Sequence, residues 1–220
     1  MSKVIFATKM QQEVISSDSR ITVITAEPGS GSTMSLVLKA VQSCSDKNIN
    51  ATFFVPTTVH ATVKGGVVQI LSDLLKDEVR YSDKSMIFSF KNGSKIKIIP
   101  CHWDNALESS FGLSRDLMLF DSNIDDKFLV HHLPRAYESV VVDSICNIEK
   151  SDSWARQLDL VKLDEHGSIT SFVEGVNHVK GFIDENFLFN GDVAKYKELV
   201  VKHIPEKMQI VFTTDGIKNE

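Results

Sequence analysis

Cysteine is scarce in this chain, and no long apolar run occurs. Cys44, Cys101 and Cys146 are widely spaced and form no C-x-x-C pair. An odd count leaves one thiol unpaired in a monomer, which points to a reducing compartment and away from a structural zinc site. No stretch approaches the roughly 20 apolar residues of a membrane span. The opening Met1-Ser-Lys-Val-Ile-Phe6 has no signal-peptide pattern. A cytoplasmic protein with no membrane partner is therefore expected. Histidine clusters once, at His131-His132, without Cys, Asp or Glu at helical ligand spacing, and this pair reads as solvated surface. Positive charge is in deficit, with Lys+Arg at 24 against Asp+Glu at 29 and a net charge of −5. That balance argues against a protein that grips nucleic acid over its whole surface. Lys47, Lys64, Lys91, Lys95 and Lys97 read as scattered solvated charges rather than a DNA track. Repeats, low-complexity tracts and linkers are absent. At 220 residues, 42% hydrophobic and 24% charged, the chain fits one globular domain with a sizeable core.

What is present centres on residues 26–33, Ala-Glu-Pro-Gly-Ser-Gly-Ser-Thr. Arg20-Ile-Thr-Val-Ile-Thr25 before it is a β-branched run suited to a buried strand. From Ser32 to Gln42 the apolar residues Met34, Leu36, Val37, Leu38, Ala40 and Val41 recur at helical spacing. Strand, glycine turn and helix are the context in which a G-x-x-x-x-G-K-[ST] phosphate loop is believed. Backbone N–H groups and the helix N-terminus of such a turn attract phosphate oxygens without side-chain help. The predicted nucleotide-binding stretch is Pro28, Gly29, Ser30, Gly31, Ser32 and Thr33, with the Thr33 hydroxyl on the Mg²⁺ side. Two residues of the pattern are missing: Ala26 replaces the first glycine, and Ser32 stands where the lysine belongs. That lysine offsets charge on the β- and γ-phosphates. The loop therefore reads as able to hold ATP and Mg²⁺ but poorly able to promote hydrolysis. Taken alone, an ordinary glycine turn explains Gly29 and Gly31 equally well.

Strands and helices alternate along the chain, the pattern of a sheet covered on both faces. A helix is expected over Lys9 to Ser16, a second strand over Asn50 to Pro56, and a helix over His60 to Lys76. Met86–Phe90 and Lys95–Ile99 flank Lys91-Asn-Gly-Ser94, a strong hairpin signal. A further helix is expected near Ser151-Asp-Ser-Trp154, another over Asp192 to His203, and a closing strand over Met208 to Thr214. The fold class is thus α/β, a RecA-like phosphate-loop domain with a mostly parallel central sheet and an added β-hairpin.

Two apolar runs end in aspartate, Leu117-Met-Leu-Phe-Asp121 and Val140-Val-Val-Asp143. A strand-end carboxylate of this kind holds Mg²⁺ in phosphate-loop NTPases. The more continuous β-branched run favours Asp143, while Asp121 has the better spacing from the hairpin. Both are followed by serine, so neither supplies the adjacent glutamate that polarises water.

In order and spacing these segments resemble the ATPase domain of the large terminase, the DNA-packaging motor of tailed bacteriophages. Gln11 or Gln12 is similar to the family's adenine-contacting glutamine. Ala51-Thr-Phe-Phe-Val-Pro-Thr-Thr58 resembles its next strand and loop, and Phe90-Lys-Asn-Gly-Ser-Lys-Ile96 its hairpin. Val140–Ser144 with Asp152-Ser-Trp154 is similar to its acidic strand region. Ile210-Val-Phe-Thr-Thr-Asp-Gly216 resembles the coupling motif through Thr213 and Thr214.

The departures fall on catalytic atoms. Ser32 replaces the loop lysine, Ser144 the glutamate, and Glu27 a loop arginine; Asp215-Gly216 ends the coupling motif. With Asp143 as the acidic strand end, roughly twenty extra residues separate it from the hairpin. No nuclease domain is expected within residues 1–220. The resemblance implies a single nucleotide-binding domain with weak or no ATP hydrolysis. Its implied partners are double-stranded DNA, a portal, a small terminase, and a separate nuclease or active ATPase subunit. The competing expectation is a non-enzymatic protein- or DNA-binding module derived from a terminase or helicase ATPase fold.

Overall fold

The computed structural model describes residues 8–27, 29–103, 105–143 and 145–181. The predicted helix over 192–203, the strand over 208–214, Pro28, Ser144, Thr213 and Thr214 lie outside the described residues.

Helix α1 (Lys9–Ser16) opens on a capping box in which the Thr8 hydroxyl accepts from the Gln11 N–H and the Gln11 side chain accepts from the Thr8 N–H. Strand β1 (Ile21–Ala26) runs into the glycine loop and then into α2 (Ser32–Lys47). Strand β2 (Asn50–Val55) follows. The helix expected over 60–76 is two helices, α3 (Thr58–Thr62) and α4 (Val67–Leu75). The break comes at Gly65, with φ of 82°, and Gly66, where a Cβ would lie 2.7 Å from two backbone carbonyl oxygens. Apolar periodicity alone runs through this break, because both helices bury residues in the same core.

Strands β3 (Val79–Ser82), β4 (Ile87–Phe90) and β5 (Lys95–Pro100) form an antiparallel meander. After α5 (Ala106–Ser109) come β6 (Leu117–Phe120), α6 (Asp126–His132), β7 (Glu138–Asp143), α7 (Ile145–Ile148) and α8 (Trp154–Gln157). A small hairpin, β8 (Val161–Leu163) and β9 (Ile169–Phe172), precedes β10 (Val176–Gly181). Among the described residues, no helix is long and apolar enough to cross a membrane.

One eight-stranded sheet orders these strands β10-β1-β7-β6-β2-β5-β4-β3. Pairing is parallel from β10 through β5, and β4 alone runs against it, antiparallel to both β5 and β3. The expected mostly parallel α/β sheet with an added hairpin is what forms. The roughly twenty residues counted as extra before Asp143 are β6 and α6, a full strand of the sheet and its helix. Chain distance concealed this, because β6 inserts between β2 and β7.

Side chains alternate across each strand, so the central strands divide their residues between two cores. One core joins Ile24, Phe53, Leu117, Leu119, Val140 and Val142 to α1, α2 and α4. The other joins Val23, Phe54, Met118, Phe120 and Val141 to α6 and α8. His132 belongs to this second core. It is 2% exposed, bonded through Nε2 to Ser110 Oγ at 2.7 Å and set among Phe54, Phe120 and Phe128. The surface reading of His131-His132 is thereby corrected. The rotation from one helical residue to the next places His131 outward against Phe111 while its neighbour points into the sheet.

Candidate nucleotide site

The loop after β1 takes the shape that its glycines allow. Gly29 and Gly31 have φ of 85° and 93°, a region that L side chains rarely adopt. Glu27 N–H donates to the Gly181 carbonyl at 3.0 Å, and Ser30 N–H to the Glu27 carbonyl at 3.0 Å. The loop is therefore anchored to the end of β10. A side chain at 181 would meet Ala26 Cβ at 3.1 Å and also Met10, so the close approach requires glycine. Helix α2 begins at Ser32 with Gly31 as its cap and no capping side chain, and its first turn carries no acidic residue. Its leading amides are thus left for an anion.

Of the two expected glutamines, Gln11 is buried and its Nε2 lies 3.4 Å from the Gly31 carbonyl. It links α1 to the loop in addition to capping α1. Gln12 is exposed on the same helix.

The Thr33 hydroxyl donates to Asp121 Oδ1 at 3.0 Å. Asp121 also accepts from the Ser122 N–H at 2.9 Å, and its own N–H continues the sheet by donating to the Phe54 carbonyl. The side chain is 7% exposed. Burial raises its pKa, while the Ser122 amide, the Thr33 hydroxyl and the electrostatic influence of His60 oppose part of that rise.

Asp143, the other candidate, is engaged elsewhere. Its Oδ2 accepts from Trp154 Nε1, and Trp154 is wholly buried, with its backbone N–H bonded to Asp126. The structure thus brings Thr33 to Asp121 rather than to Asp143. Strand parity explains the difference. Asp121 shares its side of the sheet with Leu117 and Leu119, the side covered by α2. Asp143 shares its side with Val141, the side of Trp154. Neighbouring Thr25, aligned with Asp143, bonds to His178 of β10.

The end of β2 adds a residue that motif reading passed over. Val55 leads through Pro56 to Thr57, the cap of α3. The Thr57 hydroxyl accepts the His60 N–H at 3.3 Å and lies 2.8 Å from His60 Nδ1. This holds the ring against Thr57, and its electrostatic influence reaches Asp121. Nothing in the sequence marks it, since a lone histidine carries no spacing signal.

Comparison with known proteins agrees with this fold. The flavivirus DEAD domain family matches residues 16–109, a span from the end of α1 through α5. No curated protein matches the chain significantly. The large terminase of a thermophilic bacteriophage superposes with a TM-score of 0.63 at 17% identity, covering 86% of this chain and 49% of that one. The same protein in complex with ATP-gamma-S gives 0.60, also at 17% identity, covering 86% and 48%. The ATPase domain of the Thermus phage P74-26 large terminase gives 0.61 at 13% identity, covering 92% and 90%. The chain spans about half the length of the first of these terminases. At these identities the likeness establishes the fold: a RecA-like phosphate-loop architecture, as in terminase ATPase domains.

Proposed function

We propose that this chain is a nucleotide-binding domain of a phage DNA-packaging motor with little or no ATP hydrolysis of its own. The observation that carries the reading is the Thr33–Asp121 hydrogen bond at the mouth of the glycine loop. A loop hydroxyl and a strand-end carboxylate are the pair that holds Mg²⁺ in phosphate-loop NTPases. Both donors are oxygen, the ligand type that Mg²⁺ prefers. Phosphates would rest on the backbone from Gly29 to Thr33, and Gln11 or Gln12 would meet the adenine. Thr33 and Asp121 would hold Mg²⁺, which would supply positive charge to neutralise the phosphates. Asp121 thereby takes the metal-side role that strand propensity had assigned to Asp143.

The catalytic side is depleted whichever aspartate is chosen. Ser32 leaves the terminal phosphates without the loop ammonium, and the residue after Asp121 is Ser122. Losing one preorganised charge stabiliser costs about 3 kcal/mol of barrier. Binding survives such losses better, because backbone amides and the helix terminus contribute much of it. A partner subunit that donates arginine or lysine would restore turnover, and double-stranded DNA and packaging proteins are the partners that the reading implies.

A second reading, a protein- or DNA-binding module that has abandoned nucleotide, is favoured by Ser32 and by Glu27 beside the loop. Titration calorimetry separates the two. ATP with Mg²⁺ should bind the wild type, and Gly31→Val should abolish the signal. No binding to the wild type establishes the second reading instead. Turnover by the unmodified chain should be near background, and Ser32→Lys combined with Ser122→Glu should raise it. Ordinary ATPase rates from the isolated wild type would overturn the depleted-site reading.

A further inference from the structure

The crevice at the carboxyl ends of the strands, where open α/β sheets bind ligands, has two walls. The glycine loop and the start of α2 form one. The segment leaving β2 forms the other. Phe54 of β2 accepts the Asp121 N–H and Val55 accepts the Cys101 N–H, so residues 56–60 emerge directly beside Asp121. His60 sits there in the first turn of α3, exposed to solvent, with its influence reaching the Asp121 carboxylate. Thr57 engages Nδ1 and leaves Nε2 for another partner. No described residue bonds that nitrogen.

We infer that His60 contacts the terminal phosphate of a bound nucleoside triphosphate from the β2 side of the crevice, and thereby sets the preference for triphosphate over diphosphate. The inference rests on the nucleotide-site reading above. Ser32 supplies no charge from the loop, and a metal held by Thr33 and Asp121 would draw the terminal phosphates toward the side of the sheet from which β2 emerges. A diphosphate held on the loop backbone would lack the terminal phosphoryl group that such a contact needs, and a triphosphate would supply it. When the Thr57 hydroxyl donates to Nδ1, the ring hydrogen resides on Nε2 and points at the phosphate as a donor. A bond to a charged phosphate oxygen is of the stronger kind.

The test compares ATP-gamma-S with ADP, each with Mg²⁺, by titration calorimetry on the whole chain. His60→Ala should weaken ATP-gamma-S by about tenfold, the effect of one charge-assisted hydrogen bond, and leave ADP unchanged. His60→Arg should recover the lost affinity. Because the ring is exposed, the melting temperature of His60→Ala should match that of the wild type, which separates lost contact from lost folding. Equal weakening of both nucleotides, or no change in either, overturns the role of His60. In that event ADP binding that disappears in Gly31→Val leaves the loop reading intact. A wild type that binds neither nucleotide overturns both.

Discussion

At the scale of single residues, the two strand-end aspartates separate by what each carboxylate touches. Asp121 faces Thr33, so Asp121→Asn should lower Mg²⁺-dependent ATP affinity by about tenfold or more, the loss of a direct charge on the metal. Asp143→Asn should leave that dependence unchanged, because its carboxylate serves Trp154 on the other face. Calorimetry with and without Mg²⁺ distinguishes them, and the reverse result would return the metal role to Asp143. Lys39 makes a second residue-scale case. Its ammonium is nearly fully buried, 2.5 Å from Glu138, and donates to the Ile15 and Ser17 carbonyls. It ties α1 and α2 to the start of β7. Lys39→Met leaves Glu138 and two carbonyls short of a partner, and urea unfolding should show a loss of about 2–4 kcal/mol.

Between elements, the hairpin turn works as a cap for a helix remote in sequence. Asn92 donates from Nδ2 to the carbonyls of Cys44 at 2.8 Å and Ser45 at 3.2 Å, in the last turn of α2. Its Oδ1 accepts the Ser94 N–H, and Gly93 takes a φ of 93°. The turn thus satisfies helix-end carbonyls while it fixes the register of β4 on β5. Asn92→Ala should cost about 1–2 kcal/mol in urea unfolding, whereas Lys91→Ala, at an exposed position, should be within about 0.5 kcal/mol of wild type. Equal effects would mean that the side chain does not cap α2. The Asn-Gly signal predicted the hairpin from local chemistry. Its second role was not legible, because the α2 carbonyls lie far earlier in the chain.

For the whole molecule, the buried His132 makes stability depend on pH. Desolvation is the main cause that lowers its pKa from 6.5 to about 4, with His131, Arg135 and Arg115 adding repulsion. The folded state therefore binds this proton more weakly than the unfolded chain. Stability from this group is complete above about pH 6.5 and is lost as pH falls toward 4. The linked loss is on the order of 3 kcal/mol. Unfolding midpoints measured from neutral pH down to the folded-state pKa should show it, and His132→Leu should flatten that part of the curve. An unchanged slope in the variant would assign the dependence to other groups.

The sequence by itself determined the local grammar: the capping residues of α1, the glycine loop between β1 and α2, the Asn-Gly turn, and the alternation that makes an α/β sheet. Each depends on neighbours within a few residues, where propensity and periodicity act. It also showed the missing lysine, because Ser32 is identified by its place in a contiguous motif. Which partners Asp121 and Asp143 meet was decided only by tertiary structure. Both end equally apolar runs, and which face each presents depends on strand order and on the helix covering that face. The same holds for His132, whose burial follows from α6 lying on Phe54 and Phe120, and for His60, which acquires meaning only because β2 pairs with β6. Pairing between distant strands sets these positions, and no local pattern in the chain encodes it.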